Sequence, residues 1–337
     1  MRIGIAYDLR REQESVPNGP DDTLEEYDSD ATVEAIAVAL RDAGHQVSRL
    51  GGGRNFIERA LAASAGHAPV DLVFNIAEGR GSRSREAHVP AVCEMLGLPC
   101  TGSDPLSLAL CLDKALTKRM AASHGVATAA FCLVENTDGI DSAPFPPLPA
   151  IAKLNAEGSS IGVRRNARCT TREALTERVR GLLADYRAPV LVEQFIEGVE
   201  VTVGILGTGP RARVIGTMEI APRRMSEQAF VYSVEVKRNY LQEVDYHVPP
   251  RLGAASVAAI EACALAAYRA LGCRDVGRVD LRLDARGAPS LIEINPLPGL
   301  NPADGDLPLM WQRGGRSYAG LIAAILDQSL LRMGLAR

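Results

Sequence analysis

A basic charge excess, paired cysteines, clustered histidines and long apolar runs are all missing from this 337-residue chain. Its net charge of −4 leaves no electrostatic footprint for nucleic acid or an anionic membrane. The short arginine pairs Arg164-Arg165 and Arg223-Arg224 read as solvated surface. Seven scattered cysteines show no C-x-x-C spacing, which fits reduced thiols in a cytoplasmic protein better than a disulfide framework. Five dispersed histidines lack ligand spacing and argue against zinc. The apolar start, residues 3–7, is too short for a signal peptide and reads as a first strand. The longest apolar helix candidate, residues 254–271, is interrupted by Glu261 and Arg269, so a core helix is expected there and not a membrane span. The loop after the first strand has no G-x-G-x-x-G, which removes support for a Rossmann dinucleotide site.

What is present is an ordinary folded composition, 47% hydrophobic and 23% charged, at a length that predicts two or three subdomains. The first third alternates strand (3–7), polar acidic loop (8–30), helix (31–43, stopped by Gly44), strand (47–50), helix (55–63) and buried strand (70–75). That order predicts a parallel βαβ-type sheet. Gly102-Ser103-Asp104-Pro105 marks a boundary, followed by a helix over 113–124 closed by Gly125. After a proline-rich turn (144–149) come a strand (150–154), a polar loop (155–162) and a return strand starting near Val163. Thr170 and Glu173 match a capping box for the next helix. Residues 190–196 read as an edge strand leading out of a domain, and 199–206 with 212–220 as an antiparallel pair. Residues 225–248 show little periodicity and read as a long loop over a site.

The chemistry concentrates in a hairpin. Residues 278–283 and 291–295 alternate, and the turn Asp284-Ala285-Arg286-Gly287 joins them. Period two puts Glu293 and Asn295 on one face. Asp280 on the neighbouring strand brings a third oxygen donor, a set suited to Mg²⁺ completed by phosphate oxygens. The plain alternative is a surface salt-bridge network with Arg278 and Arg282. Glu157-Gly158-Ser159-Ser160-Ile161-Gly162 offers backbone N–H groups and hydroxyls with little bulk, as a phosphate-wrapping loop does and as an ordinary hairpin turn also does. Lys153, ending the strand before it, is positioned to meet a phosphate, whereas Lys114 on its own reads as a surface lysine. If 190–196 is a hinge, Glu193 can accept from a purine amine and Glu200 from ribose hydroxyls. Gly158–Gly162 also matches the G-x-S-x-G nucleophile elbow, but a strand and not a helix is expected after it and only His247 lies downstream as a base, which argues against the hydrolase reading.

Taken together, these residues resemble the ATP-grasp superfamily, specifically the D-alanine–D-alanine ligase group. The resemblance runs in order through residues 94–103, 113–118, 157–162, 190–200 and 293–299. It implies an α/β ATP-grasp fold: an N-terminal parallel α/β domain (1–102), then two α+β subdomains (103–193 and 194–337) that sandwich ATP. By the resemblance, Lys114 and Lys153 bind phosphates. Glu157, Ser159 and Ser160 sit in the phosphate lid. Glu193 and Ile196 meet adenine, and Glu200 the ribose. Asp280, Glu293 and Asn295 hold two Mg²⁺ ions. Arg278 steadies charge at the acyl centre, and Lys237 is a further phosphate-contacting lysine of the mobile loop. The implied enzyme is a cytoplasmic homodimer that joins a small carboxylate to an amine through an acyl phosphate, without nucleic-acid or membrane partners.

The departures lie on the amino-acid side. The acidic 8–30 loop (Glu25, Glu26, Asp28, Asp30) replaces the family's Gly-rich first loop, Glu78-Gly79 replaces its His-Gly, and Arg238 its mobile-loop tyrosine. Asp304 or Asp306 falls where the family receives a carboxylate, just beyond Gly299, and like charges repel there. The acceptor is therefore expected to differ from D-alanine. The alternatives are a D-alanine–D-alanine ligase of peptidoglycan synthesis with both aspartates in solvent, an ATP-grasp kinase, or a non-catalytic nucleotide-binding module.

Overall fold

The computed structural model describes residues 1–13 and 19–335. The expected loop over 8–30 and the last expected subdomain therefore extend partly outside the described residues. The described residues form three sheets, in chain order.

The first sheet is parallel. It contains β1 (Arg2–Tyr7), β2 (Gln46–Gly51) and β3 (Leu72–Ile76) in the order β2-β1-β3. The helix Asp30–Asp42 starts where Ser29 Oγ accepts from the Thr32 N–H at 3.2 Å. Val33, Ile36, Ala37 and Leu40 then recur at helical spacing on its buried face. They pack with Ile3 and Ile5, and also with Leu321, Ile322, Ile325 and Leu326 of the last helix, Tyr318–Met333. The first and last elements thus share one core.

The second sheet is antiparallel: β4 (Phe131–Val134), β5 (Ala150–Leu154), β6 (Arg168–Cys169) and β7 (Val190–Gln194), ordered β4-β7-β5-β6. Two expectations fail here. The return strand expected from Val163 is only two residues long and begins at Arg168, because the chain first closes tight turns through residue 166. The β7 strand is not at an edge but lies between β4 and β5. Its unbroken apolar run is what burial on both faces requires. The helix Arg172–Tyr186 is capped by Thr171, which accepts from the Ala174 N–H at 3.2 Å; the capping box on Thr170 does not form.

The third sheet is antiparallel, ordered β10-β9-β8-β11-β12, with β8 (Glu200–Leu206), β9 (Arg213–Pro222), β10 (Val244–His247), β11 (Val276–Leu283) and β12 (Pro289–Asn295). The expected hairpin is β11–β12, pairing Arg278 with Asn295 and Asp280 with Glu293. Residues 225–248 are not one loop: they include the short helices Val234–Arg238 and Tyr240–Glu243, and then β10 on the sheet edge.

Asp275 ties these parts together. Fully buried, it accepts from the Gly102 N–H at 3.0 Å, Ser329 Oγ at 2.6 Å and Arg332 Nε at 2.8 Å. No helix among the described residues is long and apolar enough to cross a membrane.

Candidate active site

The second and third sheets face each other across a cleft of 110 Å³, and a chamber of 440 Å³ opens from it toward the first sheet. Lys114, Tyr232, Lys237, Arg278, Glu293 and Asp306 line both spaces, so they form the junction between them.

The inner cleft has an apolar end formed by Ala129, Ile151, Phe195, Ile196, Val231 and Leu291, which fits a flat aromatic ring. Below it lies a buried charge network. Glu193 accepts from Lys118 at 2.8 Å and from Lys153 at 2.6 Å. Burial alone would push its carboxyl up, but Lys118 and Lys153 bring it down to about 2. This corrects the expectation of an open hinge carboxylate: both Glu193 oxygens are engaged by ammonium groups. Lys118 escaped sequence reasoning, although it lies one helical turn from Lys114 on the same face. It also donates to Thr128 Oγ1 at 2.8 Å and to the Leu291 carbonyl at 3.0 Å. Neither Lys114 nor Lys153 is a surface lysine; both are buried. Glu200 lies at the cleft wall, 3.6 Å from Arg282 Nη1, and burial raises its carboxyl.

The lid loop reaches over this cleft with Ser159 and Ser160 at φ of 46° and 61°. Two consecutive non-glycine residues in the left-handed region cost of order 1–2 kcal/mol each, so the surroundings must hold them. Ser160 Oγ donates to the Tyr232 carbonyl at 2.8 Å, and Asp22 Oδ2 accepts from the Gly162 N–H at 3.0 Å. Glu26 accepts from the Gly158 N–H. The Glu157 carbonyl accepts from Lys114, while its carboxylate pairs with Arg85 at 3.0 Å. The acidic segment at Asp22 and Glu26 therefore grips the lid. Arg238 adds to this by pairing with Asp21 at 2.7 Å and Glu25 at 2.8 Å.

On the hairpin, Asp280 Oδ1 accepts from Thr202 Oγ1 at 2.6 Å and from Arg278 Nε at 3.0 Å. Its Oδ2 accepts from Arg278 Nη2 at 3.0 Å and from Asn295 Nδ2 at 3.2 Å. Glu293 lies 3.5 Å from Lys114 Nζ. Burial would raise Glu293, but Lys114, Lys153 and Arg278 bring it down to about 2. Asp280, Glu293 and Asn295 thus come together as two carboxylates and an amide. That donor chemistry fits a hard divalent cation whose remaining positions are filled from outside the protein. No cluster of three or more acidic, histidine or cysteine side chains among the described residues could hold a metal by itself.

The chamber contains the remaining expected residues. Ser159, Asn295, Glu78, Gly299 and Asp304 line it. Asp304 is exposed at its mouth. Asp306 does not point to solvent: it lies 3.3 Å from Arg278 Nη1 with 11% of its side chain exposed. Lys237 stands 5.2 Å from the Tyr232 ring centroid. Sequence reasoning missed Glu86, a further carboxylate that lines the chamber.

Cleft, lid and hairpin define an ATP-dependent ligase of ATP-grasp architecture. Residues 125–327 match the family model of the D-ala D-ala ligase C-terminus. The D-alanine–D-alanine ligase of Bordetella pertussis is 36% identical over 278 residues, 82% of this chain and 83% of that protein. An uncharacterised protein of Sinorhizobium fredii, y4sG, is 31% identical over 304 residues, 87% of this chain and 86% of its own length. The chain belongs to the D-alanine–D-alanine ligase family. Its fold is similar to that of D-alanine–D-alanine ligase from Bacillus anthracis complexed with ATP, with a TM-score of 0.72 at 20% identity over 99% of both chains.

Proposed function

We propose that this enzyme joins a substrate carboxylate to an amine through an acyl phosphate, releasing ADP and phosphate, and that the amine-bearing acceptor is not D-alanine. The junction carries the reaction: Lys114, Lys237, Arg278 and Glu293 line both cleft and chamber, so phosphate and substrate groups meet there.

In the first step a carboxylate oxygen of the donor attacks the γ-phosphorus of ATP and the bond to ADP breaks. Lys114 and Lys153 offset the phosphate charge, with ATP's base against Phe195 and Ile196 and its ribose beside Glu200. Asp280, Glu293 and Asn295 would hold Mg²⁺, which supplies Lewis-acid charge stabilisation to the transferring phosphoryl group. In the second step the amine attacks the acyl carbon and phosphate leaves. Arg278 stabilises the oxyanion. The lid, with Ser159 and Ser160, excludes water that would hydrolyse the acyl phosphate. Asp306, partly buried and already paired with Arg278, supports the altered acceptor: an α-carboxylate arriving there meets a neutralised arginine and a like charge. Similarity to D-alanine–D-alanine ligases at 36% identity favours a second reading, in which D-alanine is used on both sides.

An ADP-release screen of paired amino acids and amines, with mass spectrometry of the product, decides between the two. The expected result is an amide product with an acceptor that lacks an α-carboxylate. Efficient D-alanine-dependent ADP release sinks the altered acceptor, and a stable phosphorylated product without amine sinks the ligase reading. Glu293→Ala is expected to lower turnover at least ~100-fold; retained activity removes the metal assignment. A homodimer belongs to the same proposal, supported by the exposed Met95 and Leu106. Sedimentation at micromolar concentration reads it, with a monomer as the contrary result.

A further inference from the structure

Four carboxylates on the chamber wall, Asp28, Glu78, Glu86 and Asp304, have no ion-pair partner among the described residues. Glu86 is the sharpest case. It is 8% exposed, has no hydrogen-bond partner among the described residues, and faces the chamber. An ionised carboxylate taken out of water without a partner costs several kcal/mol. Arg85 and Lys114 pull its carboxyl down only in part, and both are engaged elsewhere. Arg85 is engaged by Glu26 at 2.6 Å, Glu157 at 3.0 Å and the Ala156 carbonyl at 2.8 Å. Lys114 is held by the Glu157 carbonyl and by Glu293. Burial, with Glu26 adding to it, pushes Glu86 up to about 8, and burial followed by the charge of Glu86 raises Glu78. Burial also raises Asp28, to about 7, with Asp304 and Asp8 adding to it. These acids lie close enough to repel one another, and what they lack is a positive charge from outside the protein. A metal ion does not answer this need, since the described residues offer no cluster of three such ligands. An organic ammonium does.

We propose that the chamber binds a diamino acid as the carboxyl-donating substrate, with its distal ammonium between Glu78 and Glu86. This rests on the ligase reading above. The donor's carboxylate has to meet the phosphate at Lys114, and of the four acids without an ion-pair partner Glu86 is the one that feels the charge of that lysine. An ordinary zwitterionic amino acid brings one ammonium, which Asp28 can take. The Glu78–Glu86 end then still lacks a cation, and a second amino group supplies it.

The test traps the activated donor without its natural acceptor. ATP phosphorylates the donor carboxylate and ADP leaves. Hydroxylamine then attacks the acyl carbon through nitrogen, phosphate departs, a proton is lost and a hydroxamate remains. Donors are both enantiomers of lysine, ornithine and 2,4-diaminobutyrate, set against norleucine, norvaline and alanine. Diamino acids are expected to exceed their neutral counterparts at least ~10-fold in kcat/KM, the size expected of a charge-assisted contact. Glu78→Gln and Glu86→Gln should each raise KM for the diamino acid by about the same factor, with the change falling in KM and not in kcat. Equal use of neutral donors overturns the inference, and so do variants that weaken both donor classes alike. If no donor yields hydroxamate, the ligase reading fails by itself. Calorimetric binding of lysine against norleucine, with ATP present, then still decides the chamber: preference for lysine upholds the inference and indifference overturns it.

Discussion

Glu193 and its two lysines form a triad in which each member is less than a tenth exposed. Such a group stabilises only while complete, since removing one charge leaves the others buried and unpaired. Glu193→Gln is expected to destabilise the protein by about 3–5 kcal/mol, read by urea unfolding at pH 7. The pH dependence follows from the same contacts. The folded-state value, about 2, lies below the ordinary 4.5. The contribution is therefore fully present above pH ~4.5 and is lost as pH falls toward ~2. Unfolding between pH 5 and 2.5 should show stability falling with acid, and Glu193→Gln should flatten that slope. An unchanged slope would remove Glu193 from the acid response. Asp275 acts similarly on structure alone. Its partners Gly102, Ser329 and Arg332 come from distant parts of the chain. Asp275→Ala is expected to cost about 3–5 kcal/mol, visible as a lowered unfolding midpoint.

At the scale of elements, the acidic segment is the feature that reorganises the site. Asp22 is fully buried, and its two oxygens accept from the Gly162 N–H at 3.0 Å and the Tyr186 hydroxyl at 2.8 Å. Asp22→Ala should release the lid and speed amide exchange at Gly162 by at least ~10-fold; unchanged protection would show that the lid is held elsewhere. The β11–β12 hairpin was legible in the sequence because strict alternation and a Gly-containing turn specify it locally. The β7 strand was misread because neighbours in a sheet are not a local property, although Val190, Leu191 and Val192 signalled burial on both faces. The helices within 225–248 span four and five residues, too few for a helical period to emerge. Thr170 and Thr171 are adjacent and equally suited to capping, so only the backbone decides between them. Glu86 was invisible for another reason: the chamber wall joins Asp28 to Glu78 and Glu86 from a separate segment, and that meeting is not a local property of the sequence.

For the molecule as a whole, the cleft is the seam between two sheets, and any ligand that fills it couples them. A non-hydrolysable ATP analogue with Mg²⁺ is expected to raise the unfolding temperature, by the equivalent of about 2.7 kcal/mol at a hundred times its Kd. Glu293→Ala should weaken that shift when Mg²⁺ is present, and an equal shift in the variant would separate the nucleotide site from the hairpin. The packing of helix Tyr318–Met333 against Ile3 and Ile5 has a consequence for how the protein is made. On the ribosome the amino-terminal sheet and helix Asp30–Asp42 emerge long before Tyr318–Met333, so the part of their shared core that this helix covers stays open while the intervening chain is made. Until then that part is exposed to solvent and to other nascent chains. Completion of this core is therefore a late event that depends on a contact between residues far apart in the sequence.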